Sequence, residues 1–480
     1  MAKPQMRRRS SLASIALVGM VGACSFINSY DEVAPLKGRG GNAGNAGAPI
    51  QSQAGSPDET LGGAGNGTGG TTSVGGAPVP MGGEGGSVEP SLPPTGLLVL
   101  GGKLTTGAGD VLVTVDPVDG KELSREAIPG AAVVGLAYDG AAGRDLWFVF
   151  TSGDFPADSM SKADLQVRTY DDASGKWTTR KKVSALPPPR PGSFVVLNDR
   201  LAYLSFGLVN NALTDTLTIL DTSTPAGTKQ ITFDLTAPGR VLGLVGSRGA
   251  PGDTSALGGT LALATGAACT GVGAALKCDS LSLTPIFVGD DITPGVAKSL
   301  RGFMGRPAFA SAANAQLAFV ALPALTANGN IEVVRFDPRD LMFEAPLSPP
   351  TPAKQLAALT AVDCLDLTVF SSVADNSLWA TSAQGTSAKA VQTHEAQDVV
   401  YEPFTSSIIA PYNPESPLFP AAAAAGGAGG AGPEPEVTAF KVAKAGVTPS
   451  IKPRSSDWQA PTDVGVNVAA ARFPIPFPCP

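Results

Sequence analysis

The feature that most constrains this chain is a strand that recurs. Leu146-Trp147-Phe148, Leu201-Ala202-Tyr203, Leu261-Ala262-Leu263, Leu317-Ala318-Phe319 and Leu378-Trp379-Ala380 open on leucines spaced 55, 60, 56 and 61 residues apart. A sustained period of this kind marks a fold assembled from copies of one unit, none of which buries its apolar face alone. Between these segments, short alternating apolar runs are punctuated by Gly, Pro, Asp and Asn. That is the pattern of strands and turns, and no sustained helical periodicity competes with it.

A second strand type completes the unit. Val111–Val115, Leu165–Tyr170, Thr216–Leu220 and Ile331–Phe336 run straight into Asp116, Asp171, Asp221 and Asp337. Ser282–Gly289, ending at Asp290, is a poorer copy interrupted by Pro285. Aspartate opens a turn because its carboxylate accepts backbone N–H groups two residues on. Val133–Leu136, Phe194–Leu197, Val241–Leu244 and Leu367–Phe370 precede the Leu-led strands and are apolar on both faces, which suits an innermost position. The order buried, Leu-led, Asp-ended, outer is that of a β-propeller blade.

On this spacing, residues 96–480 resemble the seven-bladed β-propeller proteins. The expected class is therefore all-β, with units at 132–190, 191–240, 241–306, 307–364, 365–397 and 398–463. The 365–397 unit is short and is expected to lack its outer strand. The first unit, 96–131, holds only three strands, while Val464–Ala469 reads as a spare inner strand. The C-terminal strand is therefore expected to join the first unit and close the ring, because an open ring leaves two unpaired strand edges. No Trp-Asp dipeptide and no kelch-like phasing of glycine pairs occurs, so no subfamily is indicated. Two β-sandwich domains are the competing all-β arrangement.

The start of the chain points to export. Arg7-Arg8-Arg9 precede an apolar run from Ser11 to Ala23, too short to span a bilayer as a helix. Residues 1–23 thus read as a removable signal peptide. Val21-Gly22-Ala23-Cys24 resembles the bacterial lipobox. That resemblance implies diacylglycerol on Cys24, a lipidated N-terminus over 24–37, and a membrane as partner. Ser25, rather than Asp, resembles the signal for outer-membrane sorting, which implies a cell-envelope location. From 38 to 95 the composition collapses to Gly, Ala, Ser, Thr, Asn and Pro, too little apolar surface to offset chain entropy, so a disordered tether is expected. Gly65–Gly70 formally matches GxGxxG, but it follows no strand and opens no helix. Ala421–Gly432 is a second low-complexity run, expected as a surface loop.

Chemistry is sparsely signalled. Removing Lys3, Arg7, Arg8 and Arg9 from a chain of net charge −7 leaves about −11, which argues against nucleic acid as a partner. Arg180-Lys181-Lys182 reads as a solvated strand face. Apart from Cys24, four cysteines remain, an even number that suggests disulfides in an exported chain. Cys269 and Cys278 flank a Gly-rich loop and suit a local bridge; Cys364 and Cys479 would then clamp the tail. No CxxC spacing points to a metal. His394 is the only histidine, so no multi-imidazole zinc site forms within one chain, and no GxSxG supplies a hydrolase serine. Asp154, Asp158 and Asp164 share one loop and Asp290-Asp291 another; such oxygen-rich loops are weak calcium candidates. Trp147, Trp177, Trp379 and Trp458 suit blade cores more than sugar stacking. No cofactor is indicated. The expectation is an envelope binding or scaffold module, with an envelope protein or a carbohydrate as partner. The alternative is a propeller lyase or hydrolase using carboxylates near the central channel. A channel ring of Asp, Glu, Arg and Tyr would favour the enzyme; a mouth of Gly, Ser, Thr and Asn would favour binding.

Overall fold

The computed structural model describes residues 95–477 apart from short internal stretches, the longest being 154–161, 222–229, 249–258 and 415–433. The expectations for Cys24, the tether and Ala421–Gly432 lie outside the described residues. Strands assemble into seven sheets of at least four strands each, antiparallel except where Pro474–Ile475 adds a parallel edge to Ala132–Ala141. Blade 1 joins Leu98–Leu104, Asp110–Val115 and Glu122–Ile128 to Val464–Ala471 from the far end of the chain. Blade 2 is Ala132–Ala141, Leu146–Ser152, Ala163–Asp171 and Lys176–Leu186, and blade 3 is Val195–Leu197, Arg200–Val209, Ala212–Asp221 and Gln230–Asp234. Blade 4 is Arg240–Ser247, Thr260–Ala267 and Ser280–Val288, the last flanked by both Ile292–Pro294 and Lys298–Leu300. Blade 5 is Ala308–Ser311, Ala318–Leu322, Glu332–Asp337 and Met342–Phe343. Blade 6 is Leu356–Val362, Leu367–Ser372, Ser377–Ser382 and Ser387–Val391; blade 7 is Val400–Glu402, Ser407–Tyr412, Glu436–Ala445 and Thr448–Pro453.

The fold is thus a seven-bladed β-propeller, closed as the sequence predicts. Val464–Ala471 is the innermost strand of blade 1 and pairs antiparallel with Leu98–Leu104, from Leu98↔Ala471 to Leu104↔Val464. All eight of its residues are buried. Two arginines fasten the seam. Arg472, 1% exposed, bonds the Asp145 and Asp172 carboxylates of blade 2 and the Thr95 carbonyl. Arg454 reaches from blade 7 to the Pro117 and Val118 carbonyls in a hairpin of blade 1.

Three of the Asp-opened turns hold, and those at Asp221 and Asp290 run into residues outside the described ones. Asp116, Asp171 and Asp337 each accept the backbone N–H two residues on, from Val118, Ala173 and Arg339. Their main-chain carbonyls close the same turns onto Gly120, Gly175 and Leu341. Gly120 and Gly175 take φ of +80° and +66°, which glycine adopts without steric cost.

The buried apolar side chains fall into seven clusters, one at each interface between successive blades. Trp147 and Val149 of blade 2, for instance, pack on Val99, Leu112 and Val468 of blade 1. No single centre exists. Each blade is stabilised by both neighbours, so the ring is only as sound as its weakest joint.

Blade 6 departs from expectation. It begins at Leu356 and carries a full set of four strands, so the boundary at 364/365 and the missing outer strand are both incorrect. Leu367–Ser372 is its second strand, not its innermost, and Leu378-Trp379-Ala380 lies in its third. The cause is uniform burial. Every residue of Leu367–Ser372 and of Ser377–Ser382 is buried, so apolar character does not rank them from the axis outward. The true inner strand, Leu356–Val362, is only partly buried, so burial does not single it out as innermost.

Candidate active site

Innermost strands of a propeller run in one direction along the channel. The blade-to-blade connections therefore share one face with the loops joining second to third strands. The sequence places a charged side chain where several inner strands begin on that face. Arg190 precedes blade 3, Arg240 opens blade 4, Arg306 stands two residues before blade 5, and Asp398 two before blade 7.

Two arginines act on one carboxylate. Arg190 pairs with Asp215 on the third strand of blade 3, and its guanidinium also bonds the Val241 carbonyl of blade 4. Burial raises the Asp215 carboxyl, while Arg190 and then Arg240 oppose that rise. Arg240 is anchored by the Gly271 carbonyl, 3.0 Å away, in the long loop of blade 4. Arg306 is solvent-exposed, yet desolvation by the surrounding protein and the nearby Arg190 charge together lower its guanidinium below the ordinary value. Arg190 and Arg306 belong to blades 3 and 5, and side chains two blades apart come within electrostatic range over the channel mouth.

Two carboxyls lie just before the inner strand of blade 7. Asp398 is only partly exposed, and burial raises its carboxyl to about 6 against an opposing bond from the Val399 N–H. No cation contributes to its state, so it stands apart from the arginines. Burial also raises Glu395, which lies beside His394. His394 stacks on Tyr412 with ring centroids 4.5 Å apart and planes 18° from parallel. Beneath them Asn413 bonds Gln397 and Asn467, the latter on the closing strand.

The opposite end of the channel holds a buried ion cluster. Asp139, fully buried on the inner strand of blade 2, pairs with Arg144 and with Arg248, which follows the inner strand of blade 4. That pairing, too, crosses between blades two apart.

Cys269 and Cys278 are joined as a disulfide in the blade 4 loop on the arginine-bearing face. Cys364 is also disulfide-bonded; Cys479, its expected partner, lies outside the described residues. Asp164 pairs with Lys182 on the blade 2 surface, and Asp154, Asp158, Asp290 and Asp291 lie outside the described residues. Trp147 and Trp177 pack edge to face inside the ring, and Arg168 covers Trp177. The 207–215 segment is nearly all strand, pairing Val209 with Ala212, and 381–388 joins the third and fourth strands of blade 6, on the opposite face.

Sequence reading missed Arg190, Arg240, Arg306 and Asp398 as a group. The available signal was positional: a charge immediately before an inner strand, where solubility alone does not require one.

No protein-family profile and no curated protein matches the chain. Several solved structures share its architecture. The periplasmic gluconolactonase PpgL of Pseudomonas aeruginosa is 12% identical, with 79% of this chain and 99% of that one covered at a TM-score of 0.50. A candidate 6-phosphogluconolactonase from Bacteroides fragilis is 12% identical, with 80% and 99% covered at a TM-score of 0.48. A protein from Lactobacillus plantarum is 12% identical, with 78% and 98% covered at 0.45. At these identities the likeness is one of fold, and the chain is a seven-bladed β-propeller.

Proposed function

We propose that this protein is a hydrolase of the cell envelope, acting on an ester or lactone bond in a small molecule held at the long-loop mouth of the channel. The observation that carries the reading is Asp398, a crowded carboxyl two residues before the inner strand of blade 7. A carboxyl near 6 is largely ionised at neutral pH yet basic enough to accept a proton, which suits a general base. In the reaction, Asp398 takes a proton from water as the water oxygen bonds to the acyl carbon. The tetrahedral intermediate then collapses, the bond to the leaving oxygen breaks, and the proton passes from Asp398 to that oxygen. A mouth of Arg, Asp, Glu and Tyr fits this chemistry better than the Gly, Ser, Thr and Asn rim expected of a scaffold. The gluconolactonase named among the fold relatives supplies the first substrate to try.

The test is hydrolysis of glucono-δ-lactone and simple aryl esters, corrected for spontaneous opening. Wild type should show an activity limb near pH 6, and Asp398→Asn should lower kcat by roughly 10²–10⁴-fold. Equal activity in the variant would refute the role of Asp398. The lipid anchor at Cys24, on the outer membrane, belongs to the same proposal. Membrane fractionation and mass spectrometry should find a diacylglycerol-bearing N-terminus that Cys24→Ala abolishes.

A further inference from the structure

We propose that the outer strands of blade 7 carry a binding site for a phosphate group, centred on Lys441 and Lys452. The inference goes beyond the hydrolase reading and does not depend on it.

The site begins as a groove of about 610 Å³, lined by Thr405, Lys441, Lys452, Arg454, Ser456 and Asp457. That volume lies in the range of small-ligand sites. Lys441 stands on the third strand of the blade and Lys452 on the fourth, and the two are direct cross-strand partners. Directly opposed residues of an antiparallel pair point to the same face, so the two ammonium groups share one side of the sheet. Like charges so placed are destabilising, and an acid at either position would turn the same pair into a favourable one.

Charge balance within the groove is a second, independent observation. Lys441 donates to the Thr405 carbonyl, a neutral acceptor. Lys452 makes no hydrogen bond and no ion pair among the described residues. Asp457 is taken by Arg454, 3.4 Å away. Three cations thus meet one acid along the groove, or two acids when Glu402 is counted, buried behind Thr405 and accepting its N–H and its hydroxyl. Four other lysines of this chain, whose net charge is −7, each meet a carboxylate: Lys121 meets Asp119, Lys182 meets Asp164, Lys389 meets Asp375 and Lys444 meets Asp366. The third cation is fixed. Arg454 is 8% exposed, and its guanidinium bonds the Pro117 and Val118 carbonyls of blade 1 and the Ser407 hydroxyl. It therefore adds a stationary charge, while the two lysines supply mobile N–H donors. A phosphate group brings up to two negative charges and several acceptor oxygens, which matches two opposed ammonium groups better than the single charge of a carboxylate does.

The experiment is calorimetric titration of the full, disulfide-intact protein with inorganic phosphate, glycerol 3-phosphate and glycerol, repeated with Lys452→Gln, Lys452→Arg and Asp457→Asn. Both phosphates should bind, glycerol should not, and binding should weaken as salt rises. Lys452→Gln should weaken phosphate binding roughly tenfold, the effect of one charged hydrogen bond. Lys452→Arg should retain binding, and Asp457→Asn should tighten it by removing the acid from the groove. Without phosphate, Lys452→Gln should melt no lower than wild type, because the side chain holds no partner in the fold. Added phosphate should then raise the wild-type midpoint more than that of the variant. Tighter binding of glycerol 3-phosphate assigns the groove to a phosphate carried on an organic group, as in a lipid headgroup, and equal binding assigns it to free phosphate; either supports the proposal. Failure of both phosphates to bind at millimolar concentration, or equal binding by wild type and Lys452→Gln, overturns it.

Discussion

Deleting residues 464–480 should convert a closed ring into an open one. The segment contributes the innermost strand of blade 1, all eight residues of which are buried, and Arg472, which ties that strand to blade 2. Val464, Val466 and Val468 are each at least nine-tenths buried. At about 1.5–3 kcal/mol for each buried aliphatic side chain, the three valines alone represent roughly 5–9 kcal/mol. The ladder from Leu98↔Ala471 to Leu104↔Val464 is lost as well, leaving the edge of Leu98–Leu104 bare inside the channel. Net stability of a folded domain is about 5–15 kcal/mol, so the loss is comparable to the whole. Urea unfolding should be followed by intrinsic fluorescence with Trp458, in the blade 7–blade 1 cluster, and Trp379, in the blade 5–blade 6 cluster, as separate single-tryptophan reporters. Full-length protein should give coincident transitions. The truncated chain should lose the Trp458 transition first, or aggregate through the exposed edge. If the truncated chain unfolds in one transition at the full-length midpoint, strand closure contributes nothing and the account of the ring is mistaken.

Other consequences are smaller and separable. Because burial raises the Asp398 carboxyl above its unfolded value, the folded state binds the proton more tightly than the unfolded state. Stability therefore falls as pH rises from about 4 to about 6, by at most about 3 kcal/mol. Asp398→Asn should accordingly raise the urea midpoint at pH 7.5 and leave it unchanged at pH 4; a gain equal at both would exclude the titration as its cause. Arg248→Ala leaves the fully buried Asp139 with fewer partners and should cost about 3 kcal/mol, much of it recovered by adding Asp139→Asn. Additive rather than compensating losses in that cycle would show the pair is not coupled. Arg472→Ala should cost about 2–3 kcal/mol, discounted because Asp145 and Asp172 are 33% and 42% exposed and can rehydrate. A thermal midpoint unchanged within error would contradict the clamp. Cys269→Ala with Cys278→Ala removes a short-loop crosslink worth about 2.5 kcal/mol.

What the sequence by itself determined is whatever local chemistry and apolar patterning encode. The Leu-led strands of blades 2 to 5 fall in second place, and the Asp-ended strands open their hairpins at Asp116, Asp171 and Asp337 because each turn is built within five residues. The Cys269–Cys278 bridge was legible for the same reason. Even ring closure could be read, since Val464–Ala471 is too apolar to be left unpaired and blade 1 is one strand short. Tertiary structure alone decided the order of strands in blade 6, where equally buried segments carry no mark of their distance from the axis. It alone assembled the channel mouth as well. Arg190, Arg240, Arg306 and Asp398 are each separated by 50 residues or more along the chain and share no motif. Each is an ordinary charge before a strand until ring closure brings the inner strands to one axis. The electrostatics of such a site arise from crowding and from like charges two blades apart, and neither exists before the ring has closed.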